Sequence, residues 1–188
     1  MRIVGGSFRG LTLAEVHAGG IRPTSDRSRE GLFNILAHNP AYAGDDGPAP
    51  AGMDVLDVFA GTGALGLEAL SRGAASVAFM EKAPAALKIL RANIARAGAS
   101  AATRVLEADA TRPGRARGTF GLVLMDPPYG EGLAERALAA LQDGCWLAEA
   151  ALAVIETDRR EELALPGGFE KLDERIYGRA RLHFARRG

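Results

Sequence analysis

Asp126-Pro127-Pro128-Tyr129 sets a carboxylate, two prolines and an aromatic ring directly behind the apolar run Phe120-Gly121-Leu122-Val123-Leu124-Met125. A run this rich in Leu and Val, ended by prolines that cannot donate to a strand ladder, predicts a buried strand with a rigid corner at its carboxyl end. Such a corner suits the activation of a nucleobase amino group. The lone pair of that amine is delocalised into the ring, and an acceptor pair that takes both amino hydrogens favours pyramidal nitrogen and aims the lone pair at an electrophile. In this reading Asp126 and the Pro127 carbonyl are the acceptors, Pro128 holds them in place, and Tyr129 stacks on a base drawn from its helix. The tetrapeptide by itself is also an ordinary turn after a strand.

The electrophile has a candidate site in Phe59-Ala60-Gly61-Thr62-Gly63-Ala64-Leu65-Gly66, which satisfies the GxGxxG spacing between a strand and a helix. Glu81 stands 20 residues after Gly61, where an acid binds ribose hydroxyls. Dinucleotides and S-adenosylmethionine therefore compete for this loop. Asp57, four residues ahead of Gly61, separates them: a carboxylate repels a pyrophosphate but attracts ammonium and sulfonium groups. Asp109, after the third expected strand, can accept from an adenine amino group. The expected cofactor site thus comprises Asp57, Phe59, Gly61, Thr62, Gly63, Glu81, Lys82, Asp109, Ala110 and Asp126, with S-adenosylmethionine as the cofactor.

Positioning these residues requires a βα rhythm, which begins at Asp54. Strands are expected at 54–59, 76–81, 103–107, 119–126 and 151–157, and helices near 64–72, 84–97, 131–142 and 159–164, the pattern of a parallel sheet covered on both faces. After Pro166-Gly167-Gly168, runs at 169–176 and 180–185 predict a terminal antiparallel hairpin. The fold class is α/β, a Rossmann-like sheet over 54–188, mostly parallel. Ahead of it, residues 1–39 predict a small basic extension: a hairpin-like unit around Gly5-Gly6 and Gly10, then a helix carrying Leu32, Phe33, Ile35 and Leu36, capped by Thr24, Ser25 or Asp26. Residues 40–53, rich in Pro, Gly, Asp and Ala, read as a mobile connection.

The 188 residues balance 23 basic against 23 acidic side chains, so net charge excludes no partner class. The ends are nevertheless basic and the middle acidic, and only Lys82, Lys88 and Lys171 are lysines, arginine being the better fork for phosphate. Cys145 is alone, which leaves no internal disulfide, and His17, His38 and His183 are scattered away from ligand spacing, so no metal is expected. No apolar stretch approaches the ~20 residues of a membrane span and the start lacks a secretory apolar region, so a cytoplasmic protein, monomeric and without membrane contact, is expected.

Several stretches together resemble the RsmD family of bacterial small-subunit ribosomal RNA (guanine-N2)-methyltransferases. They are Arg2-Ile3-Val4-Gly5-Gly6 with Arg9-Gly10, Arg22-Pro23-Thr24 with Asp26-Arg27, Arg29-Glu30 and Leu32-Phe33-Asn34, the loop and helix from Asp57 to Ala74, and the Asp126–Tyr129 corner. Val58 and Gly31 depart from the usual cysteine and Thr or Ala. The resemblance implies a class I S-adenosylmethionine-dependent methyltransferase fold and transfer to the N2 amino group of a guanine in small-subunit (16S) ribosomal RNA. It also implies that the amino-terminal unit holds RNA, with Arg2, Arg9, Arg22, Thr24, Arg27 and Arg29 as its contacts, and that its helix closes the methionine end of the cofactor. The corner is shared by several amino methyltransferases. Adenine in DNA, a glutamine amide of a protein, and non-catalytic nucleic-acid binding therefore stay open, as does nicotinamide oxidoreduction, which Asp57 disfavours.

Overall fold

Val55, Leu56, Asp57 and Val58 are all buried, as a strand must be when both faces of its sheet are covered. The computed structural model describes residues 1–15 and 26–188. Its elements are α1 (Asp26–His38), β1 (Asp54–Val58), α2 (Ala64–Ser71), β2 (Ser76–Glu81), α3 (Pro84–Arg96), β3 (Thr103–Glu107), β4 (Phe120–Met125), α4 (Leu133–Asp143), β5 (Leu147–Asp158), β6 (Phe169–Tyr177) and β7 (Ala180–Arg187). Among the described residues the strands form one seven-stranded sheet in the order β3-β2-β1-β4-β5-β7-β6. The first five are parallel, and β7 lies antiparallel between β5 and β6. This is the Rossmann-like, mostly parallel sheet with a terminal antiparallel hairpin that the βα rhythm and the runs after Pro166 predict.

Side-chain alternation along the strands divides the core. Val55, Phe79, Leu124, Val154 and Phe184 face one layer, and Leu56, Val58, Val123, Met125 and Ile155 face the other with Leu138 and Leu141 of α4. The amino-terminal unit shares the first layer through Ile3, Leu13, Leu32, Phe33 and Leu36. Its antiparallel pairing among the described residues is short: Ile3 N–H donates to the Leu11 carbonyl, Gly10 N–H to that of Ile3, and a bridge joins Arg2 to Thr12. Gly31 sits inside α1, where propensity disfavours it, because the Tyr177 ring passes 2.7 Å from where a Cβ would be.

Three expectations differ from the structure. Residues 40–53, read as a mobile connection, are packed onto the body: Tyr42 is 2% exposed and stacks on Phe184 with ring centroids 5.2 Å apart and planes 3° from parallel. Strand β5 begins at Leu147 instead of 151, passing an irregularity at Ala150, whose φ is 55°, opposite a register shift between Phe120 and Leu122. The helix expected at 159–164 is absent; a turn at Arg159 and Arg160 is followed by chain without regular secondary structure. Burial alternates there, with Leu163 and Leu165 packing against the second layer, and a two-residue period is incompatible with a helix. The turn itself is closed by Asp158, which accepts from Arg160 N–H through Oδ1 at 3.0 Å and from Glu161 N–H through its carbonyl at 2.9 Å. Among the described residues no helix is long and apolar enough to cross a membrane.

Candidate active site

The carboxyl ends of β2, β1 and β4 lie side by side, with Val58 in register with both Met80 and Met125. The residues that follow each strand, Lys82, Phe59 and Asp126, therefore share one edge, at the crevice where an open α/β sheet binds its ligands. The chain leaves β1 through Phe59, whose φ is 60°, and two further left-handed residues, Gly61 at 55° and Gly63 at 81°. Gly63 N–H closes the turn on the Ala60 carbonyl at 2.7 Å. An added Cβ at Gly66 would lie 2.4 Å from the Phe79 ring, so this glycine lets α2 settle on β2.

Glu81 ties that loop to the neighbouring strand. Its Oε2 accepts from Gly61 N–H at 2.9 Å, and its Oε1 from the Lys82 and Ala83 N–H groups, each at 2.8 Å. The carboxylate is held at the lip of the crevice with lone pairs left for hydroxyl donors. Next to it, Lys82 Nζ meets Asp109 Oδ2 at 2.9 Å, while Asp109 Oδ1 accepts from the Thr111 hydroxyl at 2.7 Å and its N–H at 2.9 Å. These donors, Thr111 first, hold the Asp109 carboxyl far below the usual carboxylate range. Ala110 is buried beside it.

Asp57 is not at the surface of the crevice. It is 1% exposed, and its Oδ2 accepts from Gly66 N–H at 2.8 Å, which caps the first turn of α2 from the adjacent strand. Direct contact with the ligand's ammonium group, expected from the sequence, gives way to a bracing role. Burial pushes its carboxyl well above the ordinary range, the Gly66 N–H opposes this, and the nearby Asp126 and Glu81 carboxylates push the same way as burial. Three acids thus converge around one glycine loop.

At the corner Asp126 is partly buried, Pro127 is buried, and Pro128 and Tyr129 are exposed. The Tyr129 hydroxyl donates to Glu156 Oε1 at 2.6 Å. Burial and this bond push the phenol far above its ordinary value, so its proton stays in place. Two open depressions border these residues. One of about 670 Å³ is lined by Lys82, Asp109, Arg112 and Arg136, and one of about 290 Å³ by Pro127, Pro128, Glu135 and Glu161.

Of the basic residues expected to meet RNA, Arg2, Arg9 and Arg27 are exposed, and Arg22 and Thr24 lie outside the described residues. Arg29 is a correction: it is wholly buried, with Nε 3.5 Å from Glu68 Oε2 and Nη2 bonded to Asp26 and to the Arg2 carbonyl. Glu68, also wholly buried, accepts from the Val4 and Gly5 N–H groups, each at 2.8 Å, and from Arg72 at 2.7 Å. A buried carboxylate requires a buried cation, and Arg29 fills that role.

Sequence reasoning passed over two residues that the structure brings to the site. Asn93, wholly buried on α3, accepts from Ala14 N–H at 2.8 Å and donates to the carbonyls of Ala14 at 3.1 Å and Thr62 at 2.9 Å. It joins the amino-terminal segment to the glycine loop, and its signal was an amide set within the apolar face of Leu87, Leu90 and Ile94. Glu156 is the other, an acid ending the apolar run of β5. Among the described residues no group of three or more His, Cys, Asp or Glu is arranged to hold a metal ion.

The family model described as conserved hypothetical protein 95 matches residues 1–186. Over 180 residues the chain is 38% identical to Ribosomal RNA small subunit methyltransferase D of Escherichia coli K12, covering 95% of this chain and 85% of that protein. It is 33% identical to the protein of the same name from Haemophilus influenzae, covering 95% and 89%. Among solved structures, YhhF of Escherichia coli superimposes with a TM-score of 0.82 at 36% identity, covering 100% of this chain and 97% of that one.

Proposed function

The chain belongs to the RsmD family, and on that premise we propose that it transfers a methyl group from S-adenosylmethionine to the N2 amino group of a guanine in small-subunit ribosomal RNA. The observation that carries this reading is the adjacency of the glycine loop after β1 and the Asp126–Tyr129 corner after β4, joined through the register of Val58 and Met125. One strand's end offers a cradle for a methyl donor, and the next an acceptor pair for an amine.

The residues present fit the cofactor. A Cβ added at Gly61 would meet only the Phe59 carbonyl, at 3.9 Å, so a ligand has room to approach the loop backbone. The Glu81 and Asp126 carboxylates make the surroundings of the loop anionic, which favours a sulfonium and ammonium compound over a pyrophosphate. Glu81 would hold the ribose, Asp109 and Ala110 the adenine, and the loop Phe59–Gly63 the methionine end. When bound, S-adenosylmethionine supplies an electrophilic methyl group.

Asp126 and the Pro127 carbonyl accept the two amino hydrogens of the guanine, so that its lone pair points across the crevice; Tyr129 stacks on the base. Arg2, Arg9 and Arg27, exposed on the amino-terminal unit, contact phosphates, and the affinity they contribute falls as salt rises. The test offers radiolabelled S-adenosylmethionine and the protein, separately, to unmethylated small subunits, naked ribosomal RNA, DNA and a protein extract. Label is expected in ribosomal RNA at a guanine N2; label confined to DNA or protein would overturn the reading.

A further inference from the structure

Tyr129 as a residue is 40% exposed, while its hydroxyl is bonded to Glu156, a residue only 5% exposed. The partner, Glu156, belongs to β5, the strand beside β4, and lies one residue beyond Ile155, which is in register with Met125. The ring is therefore held at both ends, by the Pro127-Pro128 backbone on one side and by the carboxyl end of the next strand on the other. A phenol-to-carboxyl bond of 2.6 Å is at the short, strong end of the range.

We propose that Glu156 is a positioning residue that fixes the Tyr129 ring in its stacking orientation before any base arrives. This inference rests on the proposed reading of Tyr129 as the platform for an extruded guanine. Extrusion costs the base its own stack, and an aromatic face already in place offsets that loss without first being ordered. A free ring would have to surrender its rotamer freedom at the moment of stacking. Because phosphate contacts dominate the affinity for RNA, the tether governs the fraction of bound RNA whose base is extruded. It acts on kcat at saturating RNA more than on KM.

The test measures kcat and KM for unmethylated small subunits, and the Kd for S-adenosylmethionine, in the unaltered protein and in Tyr129→Phe, Glu156→Leu, Glu156→Gln and the double variant Tyr129→Phe/Glu156→Leu. Tyr129→Phe and Glu156→Leu are each expected to lower kcat about tenfold, the worth of one charge-assisted hydrogen bond, with KM and cofactor Kd unchanged. The double variant should be no slower than either, and Glu156→Gln, which keeps an acceptor oxygen, should recover most of the rate. Multiplying losses in the double variant, or an undiminished kcat in Tyr129→Phe, would overturn the proposal. If Glu156→Leu does not fold, the cycle built from Tyr129→Phe, Glu156→Gln and their combination decides by the same criterion: a loss from Glu156→Gln must vanish once the hydroxyl is gone. An unaltered protein that leaves small subunits unlabelled is a different failure, that of the parent reading, and this inference falls with it.

Discussion

The Arg29 guanidinium and the Glu68 carboxylate lie 3.5 Å apart with neither side chain exposed to solvent. Their elements, α1 and α2, are thereby fastened together beneath the amino-terminal strand pair, whose Val4 and Gly5 amides complete the shell of Glu68. Removing one partner of such a pair leaves the other charged and dry. Arg29→Leu should therefore cost about 3 kcal/mol of stability, read as the shift of a urea midpoint. Arg9→Ala, at an exposed position, should leave that midpoint in place and weaken RNA binding instead. An Arg29→Leu variant as stable as the original would mean that Arg72 and the two amides satisfy Glu68 alone.

Gly66→Ala tests the seat of α2. The new methyl would stand 2.4 Å from Phe79 and 2.8 Å from Val77, and overpacking of this kind costs roughly 1–3 kcal/mol. The same change shifts the N–H that Asp57 accepts, so cofactor affinity should fall with stability. Adding Phe79→Leu should restore part of both, measured by thermal melting and by calorimetry.

Asp57 predicts a dependence on pH with a definite sign. Its folded carboxyl titrates well above the unfolded value because it is buried. Between the two values the native state holds a proton that the unfolded chain has released, so stability declines as pH rises through that window. In Asp57→Asn, which keeps an oxygen for the Gly66 N–H, the decline should be shallower, as urea midpoints measured from the ordinary carboxylate range upward will report. A cationic cofactor favours the ionised form, so binding should release protons. Calorimetric enthalpies in two buffers of different ionisation heat measure that release; equal enthalpies would place the cation elsewhere.

Asn93→Ala removes the three hydrogen bonds that join Ala14 and Thr62 to α3. The glycine loop then loses its tie to the amino-terminal segment, and S-adenosylmethionine should bind about tenfold more weakly, in line with one or two buried hydrogen bonds. Asn93→Asp, which keeps the acceptor and loses both donors, should resemble the alanine variant if the Thr62 contact is the one that matters, and the original protein if the Ala14 N–H is.

The sheet edge was legible because its signals are local: a strand followed at once by Gly61 and Gly63, another followed by Asp126 and two prolines, an acid closing a third. Each needs only the few residues around it. Arg29, Asp57, Asn93 and Glu156 were misread or missed for the opposite reason. The partners of Arg29, Asn93 and Glu156 lie far off in sequence and that of Asp57 across the glycine loop, and an arginine in a basic segment looks the same whether it faces RNA or a buried glutamate. The 159–164 stretch failed as a helix because the pull of Leu163 and Leu165 toward the core, two residues apart, is a tertiary effect that a helical turn cannot satisfy.

The stacking of Tyr42 on Phe184, together with the Tyr177 ring lying over Gly31, bears on the order in which the molecule is assembled. Synthesis proceeds from the amino end, and domains tend to fold in that order. Here Gly31 lies against Tyr177 of β6 and Tyr42 against Phe184 of β7, so these two contacts close only once the last two strands have left the ribosome. The Tyr42 ring, buried at the end, is made early and covered late.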